Sequence, residues 1–127
     1  MQSHEREKRL PVGFDIEKIA ENLRGWELRQ FSFMREEGEW QLYRVVSDDN
    51  VSLEMKPAKR YVCLRAATGR HFSTNANIFC RNIESVNISK GEVEFKGDVN
   101  LIVRTYSFEV RLPDAPREDA IIVHFTP

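Results

Sequence analysis

Beyond residue 25 the apolar residues recur at every second position, in short runs cut by turn-forming residues, and this spacing commits most of the chain to β-strands. Val51, Leu53 and Met55 alternate with Ser52, Glu54 and Lys56, which predicts a strand with one wet side that ends at Pro57. Tyr61 to Arg65 reads as the next strand and Ala67 to His71 as a loop. Val86 to Ile88, Val93 with Phe95, and Val99 with Leu101 and Val103 follow, separated by Ser89-Lys90-Gly91 and Lys96-Gly97-Asp98. Ile121, Val123 and Phe125 form the last strand, and His124 faces solvent on it. Earlier, Trp26 to Phe33 and Trp40 to Val46 flank a hairpin turn at Glu36 to Glu39, and Asp48-Asp49-Asn50 turns the chain again. The alternation changes phase near Arg29 and near Arg104-Thr105, and each change is read as a β-bulge.

One segment keeps the other period. Ile16, Ile19, Ala20 and Leu23 share a helical face over residues 16–24. Asp15 stands at the N-cap, Phe14 and Ile19 are spaced as a hydrophobic staple, and Gly25 follows as the C-terminal stop. Phe79, Ile83 and Val86 are also helically spaced, which predicts a second short helix near 75–86. The expected fold class is therefore mostly β (α+β). Its form is an antiparallel curled sheet, a partly open barrel or a small sandwich, with the N-terminal helix packed on it.

At 127 residues and 41% hydrophobic content the chain suits one core, so residues 11–127 are read as a single β-rich domain. Residues 1–10 alternate charges without apolar periodicity and read as a mobile charged tail. No apolar run has the length of a membrane span, and no apolar stretch follows the charged N-terminus as in a secretory signal. The expectation is a cytoplasmic protein without a membrane partner. Cys63 and Cys80 lie within apolar stretches and are expected as buried thiols.

The chemical inventory is short. Cys63, His71 and Cys80 match no compact zinc spacing, and Asp48, Asp49 and Glu54 read as ordinary acidic surface, so no metal or cofactor is expected. Neither a phosphate-binding glycine loop nor a nucleophile elbow occurs. One feature stands out. Residues 56–83 contain six cations and no carboxylate, a charge of +6 against −4 before it and −3 after it. Tyr61, Phe72 and Phe79 are interleaved with those cations. If Val62 and Leu64 point inward, Tyr61, Cys63 and Arg65 share the opposite face.

Three readings follow. The first is a non-enzymatic binding module acting through a protein–protein surface, with a homodimer as one form; it draws on the aromatic residues of 26–43 and on open sheet edges. The second is nucleic-acid or phosphate-ligand binding through Lys59, Arg60, Arg65, Arg70, His71 and Arg81. The third is a hydrolase with its site near His71, the histidine placed in a loop.

Overall fold

The computed structural model describes residues 11–23, 26–31, 42–46, 51–68 and 74–124, of which 27–31, 42–46, 67–68 and 74–76 are described by backbone alone. The helix forms where its capping residues put it. Asp15 Oδ1 accepts the backbone N–H groups of Glu17 (3.1 Å) and Lys18 (3.3 Å), satisfying two donors that a first turn leaves open. Helix α1 (Ile16–Asn22) then runs for seven residues, and the predicted stop at Gly25 lies outside the described residues. Phe14 and Ile19, the staple pair, are both buried.

Among the described residues the strands form two five-stranded antiparallel sheets, each in simple chain order, and no closed barrel. The first sheet holds β1 (Glu27–Phe31), β2 (Leu42–Val46), β3 (Val51–Lys56), β4 (Tyr61–Thr68) and β5 (Thr74–Cys80). The second holds β6 (Ser85–Ser89), β7 (Glu92–Lys96), β8 (Asn100–Arg104), β9 (Ser107–Arg111) and β10 (Ile121–His124). One apolar cluster joins them. Leu53, Met55, Val62 and Leu64 of the first sheet are fully buried with Val93, Phe95, Leu101 and Val103 of the second. Ile19 of α1 and its C-cap Leu23 belong to the same cluster, and Phe14 meets the edge of Phe95 at 5.8 Å.

Residues 11–23 and Trp26 are fastened to the second sheet. Val86 N–H donates to the Val12 carbonyl at 2.8 Å, a parallel bridge beside β6. Asn22 donates to the carbonyls of Ser89 (2.6 Å) and Glu92 (2.9 Å) and accepts from Gly91 N–H (3.3 Å), so one side chain clamps the β6–β7 hairpin. Trp26 donates its ring N–H to the Thr105 carbonyl at 3.0 Å. Gly13 takes φ +82° against this bridge, and a Cβ there would strike the Val86 carbonyl.

Four expectations are corrected. Residues 75–86 hold no helix: Thr74–Cys80 is β5, paired one to one with β4 from Val62↔Cys80 to Thr68↔Thr74. Phe79 lies on the outer face while Ile83 and Val86 are buried beyond it, so their helical spacing is an accident of a strand, a connector and the next strand. Asn82, at φ +57°, breaks the backbone between them. Ala67 and Thr68 extend β4 instead of opening a loop. The phase change at Arg104-Thr105 is a tight hairpin between β8 and β9, not a bulge. With Val103 opposite Phe108 and Leu101 opposite Val110, odd positions face even ones across the turn, which flips the phase without an inserted residue. Near Arg29 the pairing is likewise unbroken, from Glu27↔Val46 to Phe31↔Leu42.

Several other expectations agree with the structure. β3 alternates buried and half-buried positions and gives way at Pro57 to a single 3-10 turn, Pro57–Lys59. Cys63 and Cys80 are free and buried, and His124 is exposed on β10. The predicted turns at 36–39 and 48–50, with Trp40, Phe33 and the tail 1–10, lie outside the described residues. Among the described residues no helix is long and apolar enough to cross a membrane.

Candidate functional site

The sheet register builds the site. Val62 and Leu64 are buried in the core, so Tyr61, Cys63 and Arg65 take the outer face of the first sheet. Lys56 pairs with Tyr61 across the 3-10 turn, and Phe79 pairs with Cys63, diagonal to Tyr61. The Tyr61 and Phe79 rings stack at 6.3 Å with planes 19° apart. The Arg81 guanidinium lies over both, 5.6 Å from the Tyr61 centroid and 5.1 Å from that of Phe79. Lys56 Nζ sits 5.4 Å from the Tyr61 centroid. All three distances fall in the range where a ring attracts a cation.

Arg81 owes its position to the connector between the sheets. Its backbone N–H donates to Asp98 Oδ1 (2.8 Å), and its carbonyl accepts from Asp98 N–H (2.8 Å). Ile83 N–H donates to the Arg60 carbonyl (3.1 Å) and Glu84 N–H to the Lys96 carbonyl (2.8 Å). Gly97 passes so close that a Cβ there would strike the Arg81 carbonyl. A rigid backbone thus aims a long cationic side chain across the aromatic pair. Lys56, Lys59, Tyr61, Arg81 and Asn82 line an open recess of about 310 Å³.

Of the six residues named from the sequence, Lys59 and Arg81 meet at this recess. Arg60, in a left-handed conformation at φ +55°, is exposed beside it. Arg65 stands four residues along β4 from Tyr61, about 13 Å away at about 3.3 Å per residue. It faces Glu54 at 3.9 Å, with Arg65 half exposed and Glu54 mostly covered. Contact with the Cys63 sulfur, and then Glu54, raises the Arg65 pKa and keeps it charged. Arg70, His71 and Phe72 lie outside the described residues. Lys56, Tyr61, Phe79 and Asn82 were not named as site residues. The pairing of Lys56 with Tyr61 was readable from the alternation on either side of Pro57–Lys59. Phe79 was hidden by its assignment to a helix.

Burial, first, and then Cys63 and Glu54 push the Tyr61 hydroxyl up to about 12, with Arg81 acting in the opposite direction. Tyr61 therefore stays protonated at neutral pH and can donate a hydrogen bond. Cys80 is pushed up to about 11, chiefly by burial, and its Sγ lies 3.4 Å from the Val99 carbonyl. Among the described residues no three His, Cys, Asp or Glu side chains are grouped to hold a metal ion. No carboxylate among them reaches the Arg81 guanidinium. Compared with protein-family models, curated proteins and solved structures, the chain matches none.

Proposed function

We propose that this protein is a non-enzymatic binding module whose ligand carries a phosphate-type oxyanion, held at the recess between β3, β4 and the 81–84 connector. The observation that carries this reading is the convergence of Lys56, Lys59 and Arg81 on one recess in a chain whose net charge is −1. Lys56 and Arg81 flank a single ring, so they lie within about 11 Å of each other, comparable to the Debye length at ordinary salt. Two cations held that close attract the same anion. Arg81 presents a planar donor fork suited to two oxygens at once. Titration calorimetry with inorganic phosphate at low salt tests the reading. The expected result is weak, salt-sensitive binding that Arg81→Gln or Lys59→Gln reduces severalfold and Arg65→Gln leaves nearly unchanged. Absence of binding at millimolar phosphate rejects it.

A second reading, self-association, has its own observation. The β6 edge of the second sheet is covered by the Val12 bridge and α1, whereas among the described residues β10 is paired only with β9 and carries Ile121 (64% exposed) and Ile122 (52% exposed). Leu112, at 64% exposure, follows β9 in the connector to β10. An open apolar edge strand is a template for a second copy of itself about a two-fold axis. Sedimentation at micromolar concentration is expected to give a mass near twice 14.9 kDa. Ile122→Lys is expected to return it to the monomer, and a wild-type monomer at high concentration removes the reading.

A further inference from the structure

Resting on the oxyanion reading above, we infer that the ligand at this recess also carries a planar ring: it is a mononucleotide, read by stacking as well as by charge. The first ground is the surface that borders the cations. Tyr61 and Phe79 form one continuous aromatic surface, Phe79 remains 40% exposed, and the Arg81 guanidinium covers part of both rings. A base has two flat faces. It stacks on an exposed aromatic ring or on a guanidinium plane, and such contacts hold any base without reading its edge. A site for a bare anion has no use for an exposed phenyl ring, which costs hydration where Thr or Lys would cost none.

The second ground is size. The recess, about 310 Å³, is at the small end of ligand sites and suits one nucleotide. Arg65, on the same face, lies about 13 Å down the strand and already faces Glu54.

Calorimetric titration of the full chain with adenosine 5′-monophosphate, ribose 5-phosphate and a short single-stranded oligonucleotide tests this. The nucleotide is expected to bind about tenfold tighter than ribose 5-phosphate, the increment of one stacked base. Phe79→Ala is expected to erase that preference and Phe79→Tyr to keep it; Arg81→Gln weakens both ligands. Because Phe79 lies outside the core cluster, an unchanged melting temperature will show that its variant is folded. Equal affinity for the two monophosphates overturns the ring and leaves the oxyanion reading standing. Failure of both to bind at millimolar concentration overturns the two together. An oligonucleotide that binds a hundredfold tighter than the monophosphate, and loses that advantage in Arg65→Gln, overturns the mononucleotide in favour of a polymer.

Discussion

Arg104 and Arg81 lie on different sheets and are treated in opposite ways. Arg104, on β8, donates to Glu92 Oε1 at 3.1 Å and to Glu109 Oε1 at 3.4 Å, so both neighbouring strands supply it with a carboxylate. Arg81 meets two aromatic rings and a recess shared with two lysines. Arg65 of the first sheet likewise faces Glu54, whereas no carboxylate among the described residues reaches the Arg81 guanidinium. A charge already paired has little to offer a ligand, because binding must first pull it from its partner. The contrast is therefore between a cation held by two carboxylates and one held over two rings.

The largest expected effect asks whether the two sheets are one folding unit. Leu64→Ala on the first sheet and Leu101→Ala on the second each empty a fully buried position and are expected to cost about 2–5 kcal/mol. Since both side chains belong to one cluster, each variant should lower a single shared denaturation midpoint. Two separate transitions would break the comparison by making the sheets independent.

A smaller effect sharpens it. Arg104→Ala is expected to lower stability by about 0.5–1 kcal/mol, since the pair is partly exposed and its loss leaves two carboxylates near each other. The same variant should leave phosphate binding unchanged. Arg81→Ala is expected to do the reverse. Denaturation and calorimetry on the two proteins check both halves, and an unstable Arg81→Ala would mean that its ring contacts are structural.

The smallest effect appears only in alkali. Folding raises the Tyr61 hydroxyl from its ordinary 10.0 to about 12, so the unfolded chain loses this proton first. The contribution is present in full below pH 10 and is lost as pH rises towards 12. Cys80, raised to about 11 from 9.0, acts in the same direction over a lower window. Tyr61→Phe should flatten the upper part of the alkaline stability loss and leave the lower part intact. An unaltered profile would show that Tyr61 titrates alike in both states.

Local pattern accounted well for elements whose two faces differ. β3 was legible because every second residue enters the core, and α1 because Asp15, Phe14 and Ile19 act within one turn of each other. β5 was not legible. Its outer face carries Phe79, so apolar content alone could not mark its inside, and its pairing partner β4 was chosen by register. The hairpin at 104–107 was misread for a related reason: an odd-to-even pairing and a bulge shift the phase of a single sequence identically.

The sequence by itself determined the antiparallel class, the capped helix, the buried thiols and the segregation of six cations into residues 56–83. Those follow from short-range rules, in which period, capping and composition act over a few residues. Only the tertiary structure decided that the strands divide into two sheets over one core, and which cations meet. Arg65 and Arg81 are equivalent in composition. Cross-strand register gives the first a carboxylate from β3, and the Asp98-pinned connector swings the second over Tyr61 and Phe79. Charge along a chain is additive, but its availability depends on neighbours that the fold alone supplies.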